Sequence, residues 1–332
     1  MLFRSLRGQF NEAEECYNDA SQTFEKFKGA DIAIETAHME LSKGDLYRSQ
    51  KPDKAMQYYK NALKKYRDTD NLIGQANTLQ GMGCVESRFC KFNTVIEHFN
   101  EAKVLYESAH DMIGLGNILL RIGINKFRTR DISAKNDFED AKKMFDSVKN
   151  EICSEIVNLY YGDWMRLEQP QNAGPILLKS LKAFQRYDEV PGQAHAHLRL
   201  GKLYTGSNDW DRAKEHLEKA IDLFEDKLGK SNAFYSMGLL QIMLGDLDSA
   251  VRNLKEAEGR LISINDRVML SYVKKELSYC ARRSDGDSQA AEKYLEDSKN
   301  LMGQVYALNP DLRDVEILPG MGNLDNHSIQ FS

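Results

Sequence analysis

The chain has 332 residues, 42% hydrophobic and 29% charged, which is too apolar for disorder and long enough for two ordinary domains or one elongated array. Its 45 basic and 50 acidic residues leave a net charge of -5, so nothing global favours nucleic acid or an anionic membrane as partner, and any basic site must be local. Six prolines and 22 glycines are few for an all-β protein of this length, and Ala, Leu, Lys and Glu recur at helical intervals, which predicts helix throughout. At the N-terminus, "MLFRSLRGQFNEAEE" has its apolar run broken by Arg4 and Arg7. It lacks a signal-peptide core, and no later stretch approaches 18 uncharged apolar residues. Cys16, Cys84, Cys90, Cys153 and Cys280 are an odd set without C-x-x-C spacing. They suit a reducing compartment, and a cytoplasmic location is expected.

Further along, the chain repeats itself. "DNLIGQANTLQGMG" (70–83) returns forty residues later, little altered, as "HDMIGLGNILLRIG" (110–123). Anchored on small residues, the register reads Ala13, Ala55, Val95, Ala134, Gly174, Ala213, Ala250 and Ala291, with steps of 42, 40, 39, 40, 39, 37 and 41. A fixed period of this size identifies a stacked array, in which no single unit can bury its apolar face alone. Gly83, Gly123, Gly162, Gly201 and Gly238 suit a close crossing of two helices. A large residue four positions after each anchor, Tyr59, Phe99, Phe138, Leu178, Leu217 or Leu254, lies one turn on along the same face and fills the gap between hairpins. Asp209 and Asp246 stand where a second helix must be capped. Each unit therefore predicts helix, short turn, helix.

The ends and the middle depart from this pattern. The first unit lacks most of its first helix, as expected of a portion of a longer protein. Pro170 and Pro175 flank "QNAG" in the fourth unit and predict a lengthened or rigid turn there. "RRSDGDSQAA" makes the eighth unit the least regular and the expected end of the array, at residue 302. Residues 303–332 hold two turn signals and an acidic run, Asp311, Asp314, Glu316 and Asp325 against Arg313, and read as an irregular, mobile tail that could dock on a basic groove.

The skeleton "LGKLY...W..A...L.KA" resembles the tetratricopeptide repeat over roughly residues 1–302. Its period near forty and its D-x-x-G-x-(A/G)-N helix entry resemble the lengthened repeats of Pins-type adaptors and of the tails of fungal NACHT-type receptors. The resemblance implies an all-α fold, a right-handed α-solenoid superhelix of about seven to eight hairpins. It also implies that the first helix of each unit lines a concave surface, with ligand contacts from positions six and three before the crossing glycine and one, four and five after it.

Catalytic signals fail. "LGKS" (228–231) ends like a phosphate-binding loop, but Phe224 stands where a glycine is required and no strand precedes it. His195 and His197 point about 200° apart on a helix and cannot share a metal without a third element. No enzyme activity, cofactor or metal is expected.

Binding is better supported. Asn77, Asn117, His195 and Asn232 fall six before the glycine, and Arg48, Arg88 and Arg128 recur at forty-residue intervals after it. Arg121 adds to a stretch from Gly114 to Arg130 that has no acidic residue, and Arg199 joins His195 among the expected contacts. Guanidinium forks suit carboxylates and amides grip an extended backbone, so the expected partner is an acidic, extended peptide segment. Two plainer readings stand beside this one. The arginines lie near helix C-termini, where the dipole favours a cation, and the asparagines can bridge neighbouring helices. The alternative function is a sensor or oligomerisation portion of a larger NTPase-type receptor.

Overall fold

The computed structural model describes residues 10–24, 30–48, 51–88, 91–284, 288–310 and 317. Among them are fifteen α-helices and no strand. Helix α1 (Phe10–Phe24) is followed by seven helix pairs: α2 (Ala30–Tyr47) and α3 (Pro52–Asp68), α4 (Leu72–Arg88) and α5 (Phe92–Ser108), α6 (Met112–Arg128) and α7 (Ala134–Ser147), α8 (Glu151–Glu168) and α9 (Pro170–Arg186), α10 (Val190–Gly206) and α11 (Trp210–Leu223), α12 (Lys227–Leu244) and α13 (Leu247–Ile264), and α14 (Arg267–Ser284) and α15 (Ser288–Leu308). The chain forms two compact units that divide inside α6, between Asn125 and Lys126.

The repeat skeleton does the packing expected of it. A methyl group built on Gly201 would lie 2.6 Å from Leu217, one on Gly238 2.9 Å from Leu254, and one on Gly83 2.4 Å from Phe99. The missing side chain is what lets each helix pair close. The fourth unit corrects the sequence register by one residue. Gly162 faces Leu177, and Ala173 and Leu177 are fully buried, whereas Leu178 is exposed. Ala173 is therefore the anchor in place of Gly174. The turn expected to be lengthened there is the single residue Gln169, because Pro170 begins α9 at a position whose N–H has no helical partner to lose, and α9 runs on through Pro175.

Short polar side chains start many of the helices. Asn71 accepts from the Gly74 amide at 2.8 Å, Asp111 from Gly114 at 2.9 Å, Asn150 from Cys153 at 3.1 Å, Asp226 from Gly229 at 2.7 Å and Asp266 from Met269 at 3.0 Å. Asp209 and Asp246 do the same for α11 and α13. Each satisfies an amide that the helix leaves open.

In the first unit, Tyr47, Tyr59, Leu79, Phe99, Tyr106 and Ile118 belong to one buried cluster. In the second, Leu198, Leu217, Phe224 and Met237 form one core and Leu254, Leu261, Val273 and Leu277 another. Besides packing on their hairpin partners, these first helices pack on the first helix of a neighbouring hairpin: α2 on α4 in the first unit, and α8 on α10, α10 on α12 and α12 on α14 in the second. First helices thus make the inner layer of each unit and second helices the outer. Helix α15 continues to Leu308, beyond the expected end of the array, and the Asn309 amide donates to the Val305 carbonyl at 2.9 Å. Of the acidic tail, Asp311, Asp314, Glu316 and Asp325 lie outside the described residues. Ile317 is fully buried.

Candidate peptide-binding surface

On the inner layer of the second unit, α8 and α10 bring together a dense polar cluster. Asp163, one residue past the crossing glycine of α8, receives the Arg166 Nε–H at 2.9 Å and lies 3.7 Å from Arg199 Nε of α10. The Arg199 guanidinium sits 4.6 Å over the Tyr160 ring and reaches the His195 carbonyl at 3.3 Å and His195 Nδ1 at 3.4 Å. His195 meets Phe224 edge-on at 4.9 Å. The small residues Ala194, Ala196 and Gly201 let α10 lie close to its neighbours and leave these long side chains to fill the inner face.

The electrostatics follow from three cations around one carboxylate. Burial pushes the Asp163 carboxyl up, but Arg166, Arg199 and Lys202 outweigh it and hold the group at about 2. Burial, then Arg199 and Lys202, push His195 down to about 3, so it is neutral. Lys202 is lowered to about 8 by burial and by Arg166 and Arg199, against the pull of Asp163. Burial is the larger cause, and the like charges of Arg166 and Arg199 add to it; that added repulsion is what a further anion would offset. One repeat on, Asn232 is 3% exposed, and its Oδ1 has no hydrogen-bond partner.

The predicted site residues divide between the units. His195, Arg199 and Asn232 lie on α10 and α12, which pack together. Arg48, Asn77, Asn117 and Arg121 belong to the first unit and Arg128 to the second, so the arginine ladder is not one described surface. Arg48 is half-buried, 3.6 Å from Asp45. Asn77 is exposed and accepts the Tyr106 hydroxyl at 2.6 Å. Asn117 and Arg121 are half-buried, and Arg128 is 8% exposed. The Arg88 side chain lies outside the described residues. Sequence reading missed Asp163, Arg166 and Lys202. They fall one, four and one residues after Gly162 and Gly201, so the contact positions implied by the repeat resemblance would have found them had every unit been read at every position.

The rejected motifs also have an explanation. In "LGKS" the Gly229 amide is taken by the Asp226 carboxylate and the space over Gly229 by the Phe224 ring. The segment is the capped entry of α12. His197 turns away from His195 to His216, Nδ1 to Nδ1 at 2.8 Å. Among the described residues no group of three or more His, Cys, Asp or Glu side chains could hold a metal. No described helix is long and apolar enough to cross a membrane.

Residues 161–226 match the family described as "Tetratricopeptide repeat". A search of curated proteins finds no match. Among solved structures, a Rap protein complexed with Competence and Sporulation Factor aligns with a TM-score of 0.67 at 14% identity, covering 89% of this chain and 81% of the other. NprR in complex with its cognate peptide NprX aligns with a TM-score of 0.64 at 14% identity, covering 92% and 96%. A STAND protein with a tetratricopeptide repeat sensor from Pyrococcus horikoshii aligns at 0.53 and 12% identity, covering 90% of this chain and 52% of that one. At these identities the likeness is one of fold, and the fold is an all-α array of TPR-like hairpins.

Proposed function

We propose that this chain is a non-catalytic interaction scaffold that holds an extended, acidic peptide segment against its first-helix layer. The observation that carries the reading is the cluster in which Arg166, Arg199 and Lys202 surround the single carboxylate of Asp163. It leaves an excess of positive charge on an inner face that also holds a buried, unpartnered acceptor, the Asn232 Oδ1. A peptide carboxylate would relieve the repulsion on Lys202, and the asparagine would take a backbone N–H. The cognate peptide in the NprR complex supports a peptide as the class of partner. Arg48, Asn77, Arg88, Asn117, Arg121 and Arg128 remain proposed contacts in their own units. The same fold occurs in the repeat sensor of the STAND protein, which supports the second reading, a sensor portion of a larger NTPase-type receptor.

The test is selection from a randomised peptide library on the intact chain, with affinities then measured across salt. Selected peptides should be rich in Asp and Glu, and binding should weaken as salt screens the partly exposed pairs. Arg166→Glu with Lys202→Glu should abolish binding in a chain that keeps its helical spectrum, because reversal adds repulsion to the lost attraction. Selection of neutral or basic peptides would overturn the acidic reading.

A further inference from the structure

The inner layer of the second unit extends past α12 to α14, where the crossing glycine is replaced. Gly238 of α12 lies against the Ala250 carbonyl, which a methyl group on it would approach to 3.5 Å. In the next hairpin the Ser278 hydroxyl donates to the Ala291 carbonyl at 2.7 Å. Ala250 and Ala291 are equivalent anchors, so Ser278 occupies the crossing position. Six residues before it is Tyr272, which shares the register of Asn232 and His195. Tyr272 therefore stands in the row where a peptide backbone is expected to be gripped.

That grip is already engaged. The Tyr272 hydroxyl donates to the backbone carbonyl of Ile317 at 2.9 Å, and the Ile317 side chain is fully buried although the last helix ended at Leu308. We infer that Ile317 is an intramolecular ligand. It fills the α14 end of the inner face as a peptide would, with an aliphatic side chain in a pocket and a carbonyl on a polar side chain of the ligand row. Buried Tyr235, three residues before Gly238, and half-buried Glu276 lie beside the same tyrosine: burial, then Glu276 and Tyr272, raise the Tyr235 hydroxyl. Among the described residues, Tyr272 and Tyr235 make this end aromatic, and what it holds is a buried aliphatic side chain and a carbonyl. The inference rests on the proposed peptide-binding role of the first-helix layer and assigns one stretch of it to the chain itself.

A labelled synthetic peptide covering residues 311–322, DLRDVEILPGMG, tests it against the full chain and its Ile317→Asp variant. With Ile317 displaced, the added peptide should bind the variant at least about tenfold tighter than the native chain, since it no longer competes with a tethered copy at high effective concentration. The same peptide with Ile replaced by Asp should not bind. Tyr272→Phe, which keeps the ring and removes only the donor, should speed amide exchange around residue 317 in the native chain. Equal binding to the native chain and to a folded variant, or exchange unmoved by Tyr272→Phe, would overturn the inference. If those results came while Arg166→Glu with Lys202→Glu still abolished binding of the library-selected peptides, only the self-ligand would be lost and the peptide-binding role would stand.

Discussion

Asp163, His195 and His197 show how a single residue's surroundings set its charge. His197 is 5% exposed; burial, then His216 and Lys219, press it down to about 4. An unfolded histidine titrates near 6.5. A folded value below the unfolded one means that the denatured state binds the proton more readily, so this stabilisation is complete above about pH 6.5 and drains away as pH falls toward 4. Asp163 behaves alike at lower pH: its stabilisation is present above about 4 and is lost as pH falls through about 2. The expected melting curve against pH is flat near neutrality and falls below pH 6.5. His197→Asn should make the step between pH 6.5 and 4 shallower without removing it, because His195, held at about 3, loses stability over the same range and below it. A melting temperature that does not change between pH 7 and 4.5 would show that the histidines accept protons without penalty.

Among the described residues, seven other than glycine adopt left-handed backbone at turns between helices: Asp70, His110, Arg130, Lys149, Asp188, Asn208 and Asn265. Lys149 closes α7 with φ 57°, its amide on the Asp146 carbonyl at 3.1 Å and the Asn150 amide on Phe145 at 2.9 Å. Glycine is the residue such a helix end prefers, and a β-carbon there costs about 1–2 kcal/mol. The extra freedom of glycine in the unfolded chain returns part of that gain. Lys149→Gly should therefore stabilise by about 0.5–1 kcal/mol in denaturant melts, the side chain being exposed. Destabilisation would mean that the lysine makes a contact worth more than the strain. Among elements, α9 carries the clearest lesson about registers. Gly174 and Leu178 fit the repeat pattern as letters, but Ala173 and Leu177 fit it as volumes facing Gly162, and packing chose the volumes.

At the scale of the molecule, both tryptophans, Trp164 and Trp210, lie in the second unit, so fluorescence reports on that unit alone. Tyr59 is fully buried in the first unit, with its hydroxyl on Asp45 at 2.7 Å. Tyr59→Ala should cost about 3–5 kcal/mol through the cavity it leaves. In repeat proteins stability is a sum of unit and nearest-neighbour terms, so local damage stays local. Circular dichroism should then show an early loss of helix while the tryptophan transition moves much less. Equal displacement of both signals would show that the array unfolds as one block.

The period, the helices and most of the anchors were legible in the sequence, because helix formation and the 40-residue spacing rest on local patterns: apolar residues a turn apart, Asp or Asn at helix starts, glycine where two helices cross. Two of the five residues of the polar cluster were legible too. His195 was named from the repeat register and Arg199 was listed beside it as an expected contact, while Asp163, Arg166 and Lys202 were not named, since on their own helices they read as ordinary solvated charges. Only the packing of α8 against α10 crowds these side chains, roughly forty residues apart in sequence, into one field. The same holds at the C-terminal end. Nothing in "RDVEILPG" distinguishes Ile317 from an apolar residue in a loose tail; its burial and its bond to Tyr272 of α14, forty-five residues back in the chain, exist only in the folded molecule. Local periodicity decides which segments are helices, whereas which charges meet and which tail residue is covered depend on distances between helices, and those exist only after the hairpins stack.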